Sequence, residues 1–187
     1  GDAGNDQLFG GKGDDRMFGG TGDDLMQANT GNDILFGGAG NDDMQGNAGN
    51  DTLNGGAGND RLDGGSGDDL ILDGAGDDTV LAGSDNDTVL AGGGNDSFDG
   101  GTGHDTIDFS GFTSSRGTFG MQLTLDTGEA IINHVDAGVT TFTNFEHVIA
   151  GNGDDHVLGS ARAETLEGRG GDDHLAGGGG DDTLIGG

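Results

Sequence analysis

The stretch Gly10-Gly11-Lys12-Gly13-Asp14-Asp15-Arg16-Met17-Phe18 is one copy of a nine-residue pattern that fills most of this chain. Residues 1–108 contain twelve tandem copies, and residues 150–185 contain four more. Positions 1 to 6 follow G-G-x-G-x-D and positions 7 to 9 follow x-U-x, where U is apolar in all sixteen copies. One apolar residue per copy cannot make a core by itself, whereas stacked copies can, so the pattern predicts a solenoid.

The local structure of one copy follows from its glycines and its apolar residue. Clustered glycines disfavour the interior of a helix or strand, so positions 1 to 6 are predicted to form a turn. Glycine stands at position 4 in fourteen of sixteen copies, which indicates a backbone conformation that a Cβ would strain. Position 5 is mostly Asn or Asp, which tolerate a positive φ better than other non-glycine residues. Positions 7 to 9 are predicted to form a very short strand whose middle residue alone points inward.

The predicted fold is all-β, a parallel β-roll solenoid in which two nonapeptide repeats make one coil. Odd copies would form one short-stranded parallel sheet and even copies the other, and the inward residues of the two sheets would meet in a thin core. Equivalent residues such as Asp6 and Asp24 are then 18 positions apart and stack at the sheet spacing of about 4.8 Å.

Position 6 forms a ladder of carboxylates along the chain. Glu164 is its one glutamate, and its aspartates are Asp6, Asp15, Asp24, Asp33, Asp42, Asp51, Asp60, Asp69, Asp78, Asp87, Asp96, Asp105, Asp155, Asp173 and Asp182. Two bare carboxylates at the sheet spacing repel by about 0.9 kcal/mol even in bulk water, so the stack opposes folding. A divalent cation between successive turns would replace this repulsion with attraction between the ion and both carboxylates. Calcium takes about six to eight carboxylate and carbonyl oxygens in flexible geometry, whereas magnesium, zinc and copper fit such a site less well.

Composition limits the classes of partner. The formal net charge of −29 disfavours nucleic acid and anionic lipid and favours cations. Cysteine is absent, which excludes disulfides and thiolate metal sites, and no apolar run approaches the length of a membrane span. No signal peptide is recognisable at the N-terminus. Because the sequence begins and ends within the pattern, we expect it to be part of a longer protein.

The pattern G-G-x-G-x-D-x-U-x over residues 1–108 and 150–187 resembles the RTX, or hemolysin-type calcium-binding, repeats. The resemblance implies a right-handed parallel β-roll with calcium ions in the turns. It also implies export from a Gram-negative bacterium by type I secretion. Carried over to this sequence, the position-6 aspartates would be the side-chain ligands, and backbone oxygens of the glycine-rich turns would complete the coordination.

Two copies depart from the pattern. In residues 159–167, Arg162 replaces the position-4 glycine and Glu164 replaces the aspartate, so we expect a persistent coil with a weak or absent calcium site. In residues 82–90, Asp85 replaces the position-4 glycine while Asp87 is kept. Pairs of aspartates two copies apart predict ten sites in the first block and one more in the second. With the doubtful Glu164 site, the expected total is about ten to twelve calcium ions.

Residues 109–149 break the period and are predicted to form strands. The main interpretation is a wider coil that continues the solenoid around a small aromatic core of Phe109, Phe112, Phe119, Phe142 and Phe145. The alternative is a ligand-binding loop. Since the ladder is interrupted here, Asp105 is expected to lack a normal partner on its C-terminal side.

Positions 7 and 9 are predicted to face outward. His156 and His174 would stack at position 7 as solvated surface residues, and the alternative is a transition-metal site. The outward residues of the even copies, among them Phe18, Phe36 and Leu72, are more apolar than those of the odd copies. We therefore expect the even sheet to pack on another copy, another domain or a flanking segment.

No catalytic motif of a zinc protease, serine hydrolase or P-loop enzyme is present, so no enzyme activity is expected. The sequence favours a calcium-dependent structural roll, extracellular or at the cell surface, within an adhesive or structural protein. The alternative is a C-terminal folding and secretion module of a secreted enzyme such as a metalloprotease, lipase or alginate epimerase.

Overall fold

The computed structural model describes residues 1–111, 120–126, 129–132 (backbone) and 139–187. Every regular element in these ranges is a β-strand. The strands are β1 (Gln7–Lys12), β2 (Arg16–Thr21), β3 (Leu25–Thr30), β4 (Ile34–Ala39), β5 (Asp43–Ala48), β6 (Thr52–Ala57), β7 (Arg61–Ser66), β8 (Leu70–Ala75), β9 (Thr79–Ser84), β10 (Thr88–Leu90), β11 (Ser97–Thr102), β12 (Thr106–Asp108), β13 (Met121–Thr124), β14 (Glu129–Ile132), β15 (Val139–Thr143), β16 (His147–Ile149), β17 (His156–Leu158), β18 (Thr165–Glu167), β19 (His174–Ala176) and β20 (Thr183–Ile185). Among the described residues, none lies in a helix long and apolar enough to cross a membrane.

The strands form two sheets, and the predicted division into odd and even copies is confirmed. One sheet has eleven strands in the order β1-β3-β5-β7-β9-β11-β15-β14-β13-β17-β19. The other has nine, in the order β2-β4-β6-β8-β10-β12-β16-β18-β20. Within the repeats all pairing is parallel, and the register is 18 residues, as in Leu8 beside Met26 and Met17 beside Leu35. The chain is therefore a β-solenoid whose coil is two nonapeptides.

The position-8 residues fill the space between the sheets. Met26, Leu35, Met44, Leu53 and their successors in both sheets are buried as far as Leu166, and Leu175 is partly buried. Burial weakens at the last coil, where Leu184 is 47% exposed because no further coil covers it. The core thus consists of one apolar side chain per repeat, and its stability depends on the stacking of neighbours.

Most strands of the first block are longer than predicted. Nine of them in a row, β1 to β9, have six residues, because pairing continues through positions 1 to 3. Gly20 pairs with Gly38 and Thr21 with Ala39, beyond the predicted end of β2. Position 1 therefore also points inward, as the full burial of Ala28 shows. The glycines had indicated a turn, but the identical neighbouring coil supplies backbone partners that override this preference.

The prediction for the turn is correct at position 4 and wrong at position 5. Gly40, at position 4, has a φ of 129°, and a Cβ there would overlap the carbonyl oxygen of Gly22 in the preceding coil. Asp85 adopts the same positive φ, 81°. The other positive φ values of the repeats fall at position 2, as in Asn29 and Asn47, and none falls at position 5.

Position 5 instead carries a ladder of hydrogen bonds between coils. Where the preceding coil has Asn or Asp at position 5, the backbone N–H of the position-5 residue in the next coil donates to that side-chain oxygen, as from Asn41 to Asp23 Oδ1 at 2.9 Å and from Asn50 to Asn32 Oδ1 at 2.9 Å. Asn and Asp both supply the accepting oxygen. This position-5 ladder, rather than a tolerance of positive φ, explains why position 5 is mostly Asn or Asp.

The insert at 109–149 adds strands unequally to the two sheets. It contributes β15, β14 and β13 to the eleven-stranded sheet, with β14 antiparallel between the other two, but only β16 to the nine-stranded sheet. Phe109, Phe142 and Phe145 are buried and meet edge to face at centroid distances of 6.0 and 6.3 Å. Phe112 and Phe119, expected in the same core, lie outside the described residues. The division of the chain at 108 and 150 stays a prediction.

Candidate metal centres

The position-6 aspartates of the first block stand in two columns, one at each edge of the roll. Except at Asp96 and Asp105, which are the last of the block, the backbone N–H of each aspartate donates to Oδ1 of the aspartate in the following coil, at distances between 2.7 and 3.1 Å. The first column precedes the eleven-stranded sheet and contains Asp6, Asp24, Asp42, Asp60, Asp78 and Asp96; the second precedes the nine-stranded sheet and contains Asp15, Asp33, Asp51, Asp69, Asp87 and Asp105. We call these bonds the position-6 ladder.

The second oxygen of nearly every ladder carboxylate is buried and accepts no hydrogen bond from the described residues. These oxygens are Oδ2 of Asp15, Asp24, Asp33, Asp42, Asp51, Asp60, Asp69, Asp78, Asp87, Asp105, Asp155 and Asp173, with Oε2 of Glu164. A buried carboxylate oxygen without a partner is costly, and a series of them at equivalent positions is not expected by chance. Such a series is typical of carboxylates that coordinate a cation.

Backbone carbonyl oxygens also face the space beside the Oδ2 atoms of the position-6 aspartates. A Cβ placed on Gly37 would overlap Asp42 Oδ2 and lie 2.6 Å from the carbonyl oxygen of Gly55 in the next coil. A larger side chain would fill this gap, which explains why position 1 is glycine in most copies and alanine in four. Carboxylate and carbonyl oxygens converge there, and this donor set suits calcium better than a transition metal.

The electrostatics of the bare columns oppose ionisation. Burial raises the pKa of Asp69, Asp78 and Asp87 to about 7, while backbone hydrogen bonds lower these values and neighbouring carboxylates raise them further. Burial likewise raises the pKa of Asp51 and Asp60 to about 6. A dication between the turns would stabilise the ionised form, so cations and protons compete for these carboxylates.

The structure brings one further aspartate into the first column. Asp73 occupies position 1, where the other copies have Gly or Ala, and it is fully buried. One carboxylate oxygen each of Asp73, Asp78 and Asp96 lies within 4.8 Å of the others. Burial is the main reason that the pKa of Asp73 is raised to about 8, and the Asp96 charge is the next. The sequence analysis missed Asp73, although an acid at an inward Gly/Ala position was a usable signal.

The first column ends at the insert. Thr140 stands in register with the missing aspartate after Asp96, and its hydroxyl donates to Asp96 Oδ2 at 3.3 Å. On the far side, the backbone N–H of Met121 donates to Asp155 Oδ1 at 2.6 Å. Asp155 and Asp173 then resume the ladder, with a bond of 3.0 Å.

The second column continues through the insert, which corrects the expectation for Asp105. The backbone N–H of Asp105 donates to Oε2 of Glu146 at 3.1 Å, so Asp105 does have a partner on its C-terminal side. Because His147 pairs with Thr106 and Thr165, Glu146 lies in register between Asp105 and Glu164. The sequence Glu146-His147-Val148 follows positions 6 to 8 of the repeat, but without its glycines the match was not recognised.

At the irregular copy the column contains an internal cation. Arg162 Nη1 lies 3.6 Å from Glu146 Oε1, and its side chain is 66% exposed. The backbone N–H and the hydroxyl of Ser160 both donate to Glu164 Oε1. The guanidinium therefore supplies, beside Glu146, positive charge that a metal would supply in a regular turn.

The two stacked histidines are on the outer face as expected. The rings of His156 and His174 are parallel within 18° and their centroids are 4.7 Å apart. Both are exposed, and within the described residues the one cluster of three potential metal ligands is Asp73, Asp78 and Asp96.

A model of the RTX calcium-binding nonapeptide repeat, spanning four copies, matches residues 1–26, 18–53, 36–71, 72–107 and 158–187. These segments cover well over half of the chain. A search of curated proteins finds no significant match.

Proposed function

Since the chain belongs to the family of RTX calcium-binding nonapeptide repeats, we propose that it is a structural β-roll that folds when calcium fills its turns after secretion. The observation that carries this proposal is the series of buried Oδ2 atoms that accept no hydrogen bond within the described residues. Each such atom is a hard oxygen donor of the kind that calcium coordinates.

The proposed ligands are the position-6 aspartates together with carbonyl oxygens of the adjoining glycine-rich turns. The aspartates are Asp6, Asp15, Asp24, Asp33, Asp42, Asp51, Asp60, Asp69, Asp78, Asp87, Asp96, Asp105, Asp155, Asp173 and Asp182. Each ion would lie between two successive coils and neutralise the carboxylates that the fold stacks. The proposed total remains about ten to twelve ions.

Calcium then controls whether the chain is folded. At low free calcium, the net charge of −29 and the thin core favour the unfolded chain. At the millimolar calcium outside a cell, extracellular-type sites with Kd values of about 10⁻⁴ to 10⁻³ M would fill. Each site held at ten times its Kd would add about 1.4 kcal/mol to the free energy of unfolding, and several sites together would produce a steep transition.

A calcium titration followed by far-UV circular dichroism tests the proposal. The β signal is expected to rise cooperatively with calcium, to collapse on addition of EGTA, and to respond much less to magnesium at the same concentration. A chain that keeps its full β signal in EGTA would refute coupled folding and binding.

The setting that we propose is extracellular or at the cell surface, after type I secretion, in a structural or adhesive protein. Support comes from the family, which is typical of secreted proteins, and from the long tandem array. The roll is a structural calcium-binding fold rather than a catalytic one. The alternative is a folding module of a secreted metalloprotease, lipase or epimerase, and catalytic motifs elsewhere in the full-length protein would decide for it.

We further propose that the outer face of the nine-stranded sheet makes a contact with another copy or a flanking domain. Phe18 and Phe36 stack in parallel on this face with centroids 5.2 Å apart. Phe18 is 51% exposed and Leu70 is 38% exposed. An apolar row of this kind on an outer face is typical of an interaction surface.

A further inference from the structure

Asp73 is an acidic residue at position 1 of its repeat, where every other copy has glycine or alanine. It lies on β8 with its side chain directed inward, one position after the outward Leu72. In the equivalent strands β4 and β6, this place is held by Gly37 and Gly55. Asp73 is fully buried, and its Oδ2 accepts no hydrogen bond from any described residue. A carboxylate in this position is costly unless a ligand compensates it.

The neighbouring coil is adapted to the Asp73 carboxylate. The backbone N–H of Gly92 donates to Asp73 Oδ1 at 2.7 Å. Gly92 is at position 2, where Gly56 and Gly74 have φ values of 106° and 110°, but it does not share their left-handed conformation. β10, the strand that precedes Gly92 in the chain, ends at Leu90, whereas its neighbour β8 continues to Ala75. The backbone therefore fixes Oδ1 of Asp73, while its buried Oδ2 accepts no hydrogen bond within the described residues.

We propose that Asp73, Asp78 and Asp96 form a three-carboxylate calcium site that binds its ion more tightly than the two-aspartate sites of the roll. The inference rests on the proposed function, because it assumes that calcium occupies the turns. It adds a side-chain ligand from position 1, which the repeat pattern does not provide. One carboxylate oxygen from each of the three residues lies within 4.8 Å of the other two, close enough to share one ion.

Charge and preorganisation both favour tight binding at this site. The number of carboxylate ligands and the rigidity of the site are the main determinants of calcium affinity. Asp73 is held by Gly92, Asp78 Oδ2 is free for a metal within the described residues, and Asp96 Oδ2 is held by the Thr140 hydroxyl at 3.3 Å. This site is also the last of the first column before the insert. We expect it to keep its calcium when the other sites have released theirs.

The test is equilibrium dialysis of the full chain against radioactive calcium, buffered with chelators over a wide range of free concentration. The wild-type chain is expected to show one ion in a tight class and the remaining ions in a weaker class. Asp73→Gly restores the residue usual at this position, and Asp73→Asn keeps the shape while removing the charge. Both variants are expected to weaken the tight ion at least tenfold, and Asp73→Gly should bind the same total number of ions.

Asp77→Asn is the matched control. It removes one charge from the same turn, and Asn59 and Asn95 occupy the equivalent place in adjacent coils of this column. This variant should keep the tight class. A single uniform class in wild type, an unchanged tight class in both Asp73 variants, or an extra ion in Asp73→Gly would overturn the inference and leave the proposed function standing. A wild-type chain that binds no calcium would instead refute the proposed function.

Discussion

Most position-6 aspartates have one oxygen that accepts a backbone N–H and a second, buried oxygen that accepts no hydrogen bond within the described residues. In the second column, Asp69 Oδ1 accepts the N–H of Asp51, whereas its buried Oδ2 accepts nothing within the described residues. The carboxylate is thus oriented before an ion arrives, and the ion meets little cost of ordering the ligand. The same burial makes the empty site unfavourable at neutral pH.

The first residue-scale prediction concerns pH. In the calcium-free roll, the pKa values of Asp69, Asp78 and Asp87 are about 7, above their ordinary value of 3.8. At pH values between the ordinary pKa and the raised pKa, the folded chain binds more protons than the unfolded chain. The free energy of unfolding therefore falls as pH rises through this range. We expect the calcium-free chain to gain β signal when pH is lowered from about 8 to about 5. In the same window, the calcium concentration at half-saturation should rise as pH falls, because protons compete with the ion.

Circular dichroism of metal-stripped chain at several pH values measures the first effect, and calcium titrations at the same values measure the second. Equal β signal at both pH values without calcium, together with a midpoint that does not depend on pH, would contradict the prediction. High salt serves as the control, because it screens the repulsion among exposed carboxylates without protonating the buried ones.

At the scale of the element, the irregular copy at 159–167 retains its strand and carries Arg162 in place of the position-4 glycine. Leu166 remains fully buried in β18, so the core is continuous. In the Arg162–Glu146 ion pair the arginine side chain is 66% exposed and the glutamate side chain 20%, and an ion pair with one solvent-exposed partner contributes little to stability. Its effect is therefore expected on ion binding more than on folding.

Arg162→Gly restores the position-4 glycine and removes the competing cation. We expect this variant to bind one additional calcium ion between Glu146 and Glu164, and to change the free energy of unfolding in saturating calcium by no more than about 1 kcal/mol. Arg169→Gly is the matched control, because it removes the same charge from a position-2 residue outside the column. Equilibrium dialysis measures the number of calcium ions bound per chain. An identical number in wild type and Arg162→Gly would contradict the prediction.

Much of the architecture could be predicted from the period alone. An 18-residue register follows from two repeats per coil, and it correctly placed Leu8 beside Met26 and the aspartates in columns. The predicted strands were too short because pairing with an identical neighbour extends them through the glycines. Glu146 was missed because its register depends on the path of the insert, which no repeat specifies. Asp73 was missed because the repeat pattern directs attention to position 6.

At the scale of the whole molecule, the two outer faces differ in character. The nine-stranded sheet exposes Phe18 and Leu70. The eleven-stranded sheet exposes Phe9 and Val139, and between them it carries a polar pair, Gln27 and Gln45, which is hydrogen bonded at 2.7 Å. The stacked pair Phe18 and Phe36 makes the apolar surface of the nine-stranded sheet contiguous, which favours a contact through that face.

We expect the double substitution Phe36→Asp, Leu72→Asp to weaken association through this face by at least tenfold while leaving calcium-dependent folding intact. The control Gln27→Asp, Leu81→Asp places the same two charges on the other sheet and should associate as wild type does. Sedimentation velocity of the calcium-loaded chain, alone and with its flanking segments, measures the effect. If the Phe36 and Leu72 variant associates as strongly as wild type, the contact proposal is wrong.

The two hydrogen-bond ladders also give the roll a direction. At position 6 the N–H of one coil donates to the carboxylate of the next, as from Asp24 to Asp42, and at position 5 the donor and acceptor are reversed, as from Asn41 to Asp23. A break between any two coils therefore leaves two surfaces that are complementary but not alike. Two rolls that join end to end through these groups must do so head to tail. Such a contact does not close on itself, so it favours linear filaments over symmetric dimers.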